Sequence, residues 1–181
     1  MNRCEWCNLD NEKYIEYHDN EWGKPNFNDD YLFEMLILES FQAGLSWECV
    51  LNKREEFRKA YDYFDINKVI NYDEKKISEL LSNKGIIRNK LKIIASINNA
   101  KIFKNIVSEF ASFYDYLKVF AGDKIYYEEG RTHSLLSDNI SKDLSRRGMK
   151  FVGTTIIYSF LQAVGIINSH SKNCFLYKTN E

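Results

Sequence analysis

Cysteine and histidine residues occur in closely spaced groups near both ends of this 181-residue chain. Near the C-terminus, His170 and Cys174 are separated by three residues, a spacing at which both side chains can bind one metal ion. Near the N-terminus, Cys4 and Cys7 form a C-x2-C pair, and His18 follows them. Because a structural zinc site takes four ligands in a tetrahedral arrangement, one site built from both ends would hold the termini together. That would constrain the fold more than any local pattern.

Two ligand sets are compatible with this spacing. Cys4 and Cys7 could join the C-terminal pair, and this choice is slightly favoured because a tight C-x2-C knuckle is the commoner metal geometry. Cys4 and His18 would equally supply one sulfur and one nitrogen. The simpler alternative is that these are ordinary thiols and a surface histidine. Either metal site would close a loop of most of the chain and limit fraying at both termini, so the metal's role would be structural.

Composition places the chain among packed proteins. Apolar residues make up 44% and aromatic residues 15% of the sequence, too many for a disordered chain. The length fits a single domain over residues 1–181, with room for two helical lobes. Because the sequence has neither a long apolar run nor a signal-peptide pattern, we expect a cytoplasmic protein with no membrane association. Four cysteines in such a protein favour free thiols or metal ligands over disulfides.

The net charge of −1 leaves no overall basic surface for nucleic acid. Lysine and arginine do cluster locally, at residues 84–92 and 142–150. On charge alone a solvated helix face is the favoured interpretation of each cluster. A local DNA-binding patch is the alternative, since a patch does not require a basic chain.

The near absence of proline, one residue in the whole chain, favours long uninterrupted helices. Residues 29–43 are apolar almost all round and predict a central buried helix. The remaining predicted helices cover residues 46–64, 65–70, 74–82, 86–106, 109–121, 140–147 and 154–166. Residues 122–139 have little periodicity and predict a long loop. No stretch alternates as a strand would, so the predicted fold class is all-α.

Residues 145–165 predict two helices joined by a tight turn that contains Gly148 and Gly153. Glycine lets backbone approach a ligand closely, and the free amides at the second helix's N-terminus, near Thr154, attract phosphate. Three cations add local positive charge: Arg146, Arg147 and Lys150. This helix-hairpin-helix would let a chain without net positive charge bind DNA, although an ordinary helical hairpin explains the same residues equally well.

Glu39 falls on an apolar stripe of the predicted central helix. A buried carboxylate costs several kcal/mol unless it is paired, so such residues are usually functional or in an ion pair. Aromatic residues lie nearby in the sequence on both sides: Tyr14, Tyr17, Trp22 and Trp47. A carboxylate among aromatic rings is the composition of a pocket for a flat cationic ring, although core packing explains each ring singly.

Several segments together resemble one known family, DNA-3-methyladenine glycosylase I of the helix-hairpin-helix glycosylase superfamily. They are "YHDNEWG" (17–23), "FQAGLSW" (41–47), "GIIRNKLKI" (85–93) and "SKDLSRRGMKFVGTTIIYSFLQAVG" (141–165), followed by the His-x3-Cys pair. These motifs are long, they occur in order, and the resemblance extends from Cys4 to Cys174.

The resemblance implies a role for each matching residue. A structural Zn²⁺ would be bound by Cys4, His18, His170 and Cys174, the set without Cys7. Glu39 would recognise the damaged base, Tyr17 and Trp47 would lie on its two faces, and Tyr14 and Trp22 would complete the pocket. The DNA contacts would come from Gln42, Leu45, Lys150, Gly153 and Thr154, with Leu45 filling the gap that the flipped nucleotide leaves.

The implied activity is excision of 3-methyladenine from double-stranded DNA, with the free base as product. Many relatives in the superfamily carry a catalytic aspartate where this chain has Asn168 and Ser169. Adenine methylated at its third nitrogen is already cationic and leaves as a neutral base, so binding of the flipped base can suffice without that carboxylate. No lysine occupies the position that bifunctional relatives use as nucleophile. We therefore expect an enzyme without lyase activity. We also expect it to be a monomer.

Overall fold

A computed structural model describes residues 1–178, which fold into ten α-helices and two very short strands. The helices are α1 (Glu12–Asn20), α2 (Asp29–Gln42), α3 (Trp47–Asn52), α4 (Arg54–Ala60), α5 (Ile66–Val69), α6 (Glu74–Ser82), α7 (Lys90–Phe110), α8 (Phe113–Ala121), α9 (Leu135–Arg146) and α10 (Thr154–Ala163). The strands are β1 (Tyr126–Tyr127) and β2 (Ile167–Asn168). No helix in the described part of the chain has the length and apolarity needed to span a bilayer.

Helix α2 lies at the centre of the structure, and this prediction is confirmed. Every residue from Leu32 to Phe41 is buried. The Asn28 side chain caps the helix by accepting hydrogen bonds from the Asp30 and Tyr31 amides, which satisfies two of the free donors at a helix start. Helices α3, α7, α8 and α10 pack around α2, so the stretch from Leu32 to Phe41 has no solvent face.

The predicted long helices are divided differently in the structure. Helix α7 runs as far as Phe110 and ends at Ala111, which adopts a φ of 74°. Ser112 then caps α8, so residues 109–121 are not one helix. The predicted 46–64 helix is interrupted at Lys53 and ends in a 3₁₀ turn, Asp62–Phe64. The apolar spacing of the sequence continues through such breaks and therefore does not predict them. Tertiary packing, rather than the local sequence, decides where they occur.

The prediction of a loop throughout residues 122–139 is wrong at its end. Helix α9 begins at Leu135, where Ser134 and Ser137 form a reciprocal capping box. Within the loop, Tyr126 and Tyr127 pair in parallel with Ile167 and Asn168. The fold is therefore mainly helical, as expected, with one minimal sheet that the prediction did not include. Strands of two residues are too short to show alternation. Helix α1 was also not predicted.

The predicted helical hairpin is confirmed as a structural element. Helix α9 packs against α10, and the turn between them contains Gly148 and Phe151 at φ values of 100° and 55°. Gly153 precedes α10 as its N-cap without a side-chain hydrogen bond. A Cβ atom added at Gly153 would meet nothing within 4 Å, so the first amides of α10 are open to a ligand.

The segment after α1 docks on the end of α10. The Gly23 amide donates to the Gln162 carbonyl at 2.9 Å, and the Asn26 amide donates to the Val164 carbonyl at 3.3 Å. Gly165 has a φ of +78°, and a Cβ atom there would lie 2.2 Å from the Lys24 carbonyl carbon. Only glycine fits this crossing of two backbones, which fixes α1 relative to α10.

We expect Gly165→Ala to lower the free energy of unfolding much more than Gly130→Ala. Both residues have a left-handed φ, but a Cβ atom at Gly130 meets nothing within 4 Å. The Gly130 variant should lose only the conformational term, about 1–2 kcal/mol. The Gly165 variant should lose at least about 2 kcal/mol more, because backbone must move to admit the methyl group. Urea unfolding measures both, and equal losses would contradict the close approach.

Candidate functional site

A cavity of about 300 Å³ opens beside the C-terminal half of α2. Five aromatic residues contribute to its wall: Trp6, Tyr14, Tyr17, Trp22 and Trp47. Its polar lining consists of Glu39, Gln42, Gly130, Arg131, Ser159, Gln162 and Ser169. The structure thus brings Glu39 and all four aromatic residues singled out from the sequence into one cavity.

Among residues 1–178, Glu39 is the only acidic residue that lines this cavity, and it is 3% exposed. It differs sharply from Glu34, a second buried glutamate of α2. The Glu34 carboxylate accepts hydrogen bonds from Nε of Arg54 at 2.6 Å and Nε of Arg58 at 2.9 Å. Oε2 of Glu39 has no partner among the described residues. Burial therefore raises the pKa of Glu39 well above the ordinary value of a glutamate.

Most of the buried side-chain atoms without a hydrogen-bond partner surround the same cavity. They are Oε2 of Glu39, Nε1 of Trp47 and Oγ of Ser169, and the fourth such atom in the described chain is Nη2 of Arg54. Each unpaired buried group costs about 1–3 kcal/mol. Acceptor, donor and hydroxyl groups left unpaired around one cavity indicate a ligand that both donates and accepts hydrogen bonds.

The aromatic rings form two contacting groups. Trp6 packs on Tyr14 and Trp22, with ring centroids 5.3 and 4.7 Å apart. Tyr17 packs directly on Trp47 at 5.2 Å, with an angle of 47° between the ring planes. Rings in contact have centroids about 4.5–7 Å apart, so no slot for a third ring exists between Tyr17 and Trp47. A base between the two rings would require them to separate, and the expectation that they lie on its opposite faces stays a prediction.

Sequence reasoning missed several residues of the cavity. Trp6 lies between Cys4 and Cys7 and approaches the other aromatic residues only because the N-terminal segment folds back. Ser159 and Gln162 come from α10. Their three-residue spacing on an otherwise apolar helix is a signal that could have identified them.

The residues expected to contact DNA lie in two exposed turns. Gln42 borders the cavity, and Leu45, 43% exposed, follows it in the turn after α2. Lys150, Gly153 and Thr154 lie in the α9–α10 hairpin.

The cations of the hairpin are not equally available. Arg146 and Arg147 both pair with Asp143, and Arg147 also pairs with Glu109. Lys150 is exposed and has no acidic partner within residues 1–178. Of the three cations expected to add positive charge at the turn, Lys150 is therefore the one without an acidic partner in the described chain.

The cysteine and histidine residues from the two ends of the chain form one buried cluster. The ligand atoms of Cys4, His18, His170 and Cys174 all lie within 4.8 Å of one another. Sγ of Cys174 is 3.5 Å from Nε2 of His18 and 3.4 Å from Nδ1 of His170. Tetrahedral zinc with ordinary bond lengths would place sulfur and nitrogen ligands about 3.6 Å apart. The donor set and its spacing therefore fit a metal ion.

Cys7 is outside this cluster. Its thiol faces the Tyr14 carbonyl oxygen at 3.8 Å. The structure thus assembles the set that contains His18, and the slight preference for Cys7 from spacing alone was wrong. Sequence spacing did not show that α1 places His18, rather than Cys7, beside His170 and Cys174.

Both histidines are oriented by a partner on the ring nitrogen that faces away from the cluster. Nδ1 of His18 is 2.7 Å from the Asp19 carboxylate, which also accepts from Arg3. Nε2 of His170 is 3.2 Å from the Trp22 carbonyl oxygen. Such outer partners fix the ring orientation at metal sites. Burial lowers the pKa of both histidines, that of His170 to about 4, so neutral imidazoles are available as ligands at pH 7.

These features define a helix-hairpin-helix protein with a pocket for a flat, polar ring. A family model described as methyladenine glycosylase matches residues 6–177. The chain therefore belongs to the methyladenine glycosylase family. This confirms the resemblance that the sequence motifs indicated.

Individual relatives agree with this membership. The chain is 42% identical to DNA-3-methyladenine glycosylase 1 of Escherichia coli (strain K12), over 100% of both chains. A crystal structure of 3-methyladenine DNA glycosylase I superposes with a TM-score of 0.93 at 41% identity, covering 98% of this chain and 100% of the other. A variant of 3-methyladenine DNA glycosylase I in complex with 3-methyladenine superposes with a TM-score of 0.92 at 31% identity, covering 99% and 100%.

We expect Glu39→Gln to stabilise the protein increasingly as the pH rises from 4 to 8. The folded state holds a proton on Glu39 that the unfolded state releases near pH 4.5, so this residue's contribution to stability is lost as the pH rises, by up to about 1.4 kcal/mol per pH unit. The Glu39→Gln variant has no titratable group at this position, so it does not lose stability in this way as the pH rises.

The matched control is Glu34→Gln on the same helix. It breaks the ion pairs with Arg54 and Arg58 and should lower stability at neutral pH. Melting temperatures of the three proteins across this pH range provide the comparison. A pH-independent offset between wild type and the Glu39 variant would contradict the assignment of an unpaired carboxyl group.

Proposed function

We propose that this protein is a DNA glycosylase that flips 3-methyladenine out of alkylated double-stranded DNA and hydrolyses its N-glycosidic bond, which initiates base-excision repair. The observation that carries the proposal is the unpaired Glu39 carboxyl group, buried in an aromatic cavity with two further unpaired polar atoms. Family membership and the 3-methyladenine complex of a relative support it.

Base recognition would rest on Glu39. Its free oxygen can accept a hydrogen bond from the exocyclic amine of adenine, and an entering cation lowers the pKa of the carboxyl group so that it ionises against the positive ring. Because Tyr17 and Trp47 already contact each other, the base would stack on the cavity side of these rings. Cation–π attraction would favour the methylated base over normal adenine by roughly 1–2 kcal/mol. Tyr14 and Trp22 would close the pocket.

The leaving group explains why no second carboxylate is needed. The methylated base carries a positive charge, so it takes the electron pair of the breaking N-glycosidic bond and leaves neutral. Water adds to the sugar carbon and releases a proton to solvent, which gives an abasic site. The Asn168 side chain has a structural contact instead, since its amide group donates a hydrogen bond to the Gly23 carbonyl oxygen. In the described part of the chain no lysine lines the cavity, and we propose that the enzyme has no lyase activity.

DNA would be engaged by the two exposed turns. Leu45 would enter the gap left by the flipped nucleotide, with Gln42 beside it. The free amides at the start of α10, from Gly153 and Thr154, would bind a phosphate with Lys150 nearby.

We propose one glycosylase domain over residues 1–181, with two helical lobes flanking this cleft. We propose that it acts as a monomer in the cytoplasm.

The buried Cys4, His18, His170 and Cys174 cluster would bind a structural Zn²⁺. A zinc ion there supplies a cross-link between the two ends of the chain. Its ligands lie next to the cavity wall, because His18 follows Tyr17 and His170 faces the Trp22 carbonyl oxygen. The metal would thus order the pocket without taking part in the reaction.

Base release from methylated DNA tests the proposed activity. Wild-type protein should release free 3-methyladenine, detected by chromatography, and leave abasic sites without strand breaks. Glu39→Gln should slow release by about 10²–10³-fold, the range for loss of one preorganised electrostatic contact. Undiminished release by this variant would overturn the role of Glu39.

A helical DNA-binding module without catalytic activity would share the hairpin and the metal cluster but would have no use for the cavity. Titration with free 3-methyladenine distinguishes the two possibilities. NMR shifts at Trp47 and Tyr17 are expected for the glycosylase, and absence of both binding and release would favour the module.

Zinc content tests the ligand assignment. Purified protein should contain about one Zn²⁺ per chain, Cys174→Ser should lose it, and Cys7→Ser should keep it because the Cys7 thiol faces Tyr14 instead. Elemental analysis measures all three. Full zinc retention by the Cys174 variant would refute the four-ligand site.

A further inference from the structure

Lys92 on α7 is buried, with 7% of its surface exposed. Its Nζ atom donates to the carbonyl oxygens of Phe41 at 2.8 Å and Ala43 at 2.5 Å. These carbonyl groups belong to the C-terminus of α2, where four acceptors lack a partner within the helix. A cation there also complements the negative end of the helix dipole. The lysine therefore fixes the point at which α2 ends.

The turn that follows this point carries Leu45. Gly44 has a φ of +80°, and the Leu45 amide closes the turn on the Gln42 carbonyl at 2.7 Å. Within the described chain, Lys92 is the only residue outside α2 and this turn that hydrogen-bonds to residues 41–45. The position of the exposed leucine thus depends on one buried ammonium group.

The same helix also holds the α9–α10 hairpin. The Asn99 side chain donates to the Lys150 carbonyl at 2.8 Å and accepts from the Lys150 amide at 2.9 Å. Asn98 donates to the Gly148 carbonyl at 3.0 Å. Asn99 is seven residues after Lys92, on the same face of α7 and about 10 Å along its axis. Helix α7 therefore sets the separation between the two exposed turns.

We propose that Lys92 is a positioning residue for damaged DNA, which acts by holding the Leu45 turn at a fixed distance from the phosphate-binding hairpin. This inference rests on the proposed function. A duplex presents its base stack and its phosphates at set separations, so a turn that is ordered before binding avoids the loss of conformational freedom on association. Lys92 is not among the described residues that line the base cavity. Its Nζ atom also lies 5.9 Å from the centroid of the Phe151 ring, in the hairpin turn.

The test separates duplex binding from base binding. Lys92→Met keeps the side-chain length but removes the donors. We expect it to weaken binding to a duplex with a tetrahydrofuran abasic analogue at least tenfold, while the affinity for free 3-methyladenine changes less than twofold. Lys104→Met is the matched control, because it removes an equal charge from an exposed position of the same helix, outside the 84–92 cluster, where Nζ donates to the Asn67 side chain. It should change duplex affinity less than threefold. Equal loss for duplex and free base, or no loss for either, would overturn the proposal.

A double-mutant cycle with Leu45→Ala tests the route of the effect. If Lys92 acts through Leu45, Lys92→Met should cost little further duplex affinity in the Leu45→Ala background. Full additivity would contradict the proposal. Lys92→Gln keeps an amide group as donor and should show the same pattern with a smaller loss of duplex affinity. It replaces Lys92→Met if the Lys92→Met protein does not fold.

Release of 3-methyladenine by wild-type protein is measured first. Absence of release removes the proposed function itself. If wild-type protein releases the base but the Lys92 variants bind the duplex as tightly as wild type, only the positioning role of Lys92 is contradicted.

Discussion

Burial of α2 from Leu32 to Phe41 is the constraint on which the rest of the structure depends. This stretch is surrounded by four other helices and has no solvent face, so each polar group in it must be paired inside the protein or left without a partner. Glu34 is paired with two arginines, and the carbonyl groups at the helix end are paired with Lys92. Glu39 is the exception. Its position in the same helix makes the missing partner informative, because the surrounding protein pairs the other buried charges.

The cluster of Cys4, His18, His170 and Cys174 lies directly beside the cavity wall. Cys4 and Cys174 come from opposite ends of the chain, and the histidines between them join the cavity wall directly, through Tyr17 on one side and the Trp22 carbonyl on the other. Trp6, enclosed by the first two cysteines, completes the wall. Fixing the termini therefore also fixes the aromatic surface on which a base would lie.

Long apolar patterns gave dependable predictions, and short or irregular segments did not. The burial of α2 and the α9–α10 hairpin followed from composition and glycine placement. Helix ends at Lys53 and Ala111 did not, because the apolar period continues across them. The strands β1 and β2 hold two residues each and exist only because the chain brings Tyr126 beside Ile167. Charge counting also failed in the hairpin, where Asp143 and Glu109 neutralise Arg146 and Arg147.

The sequence by itself determined the family, the hairpin and the residue types of the site, since these depend on motifs and on local periodicity. It also identified Glu39 as unusual, because a carboxylate on an apolar stripe is costly wherever the helix packs. Residue spacing alone left the choice between His18 and Cys7 open, and the family resemblance already favoured His18, which the structure places in the cluster. Only the tertiary structure decided that Glu39 has no partner while Glu34 has two, and that Tyr17 contacts Trp47. These are facts about distances between residues far apart in the chain, and sequence spacing constrains such distances only weakly.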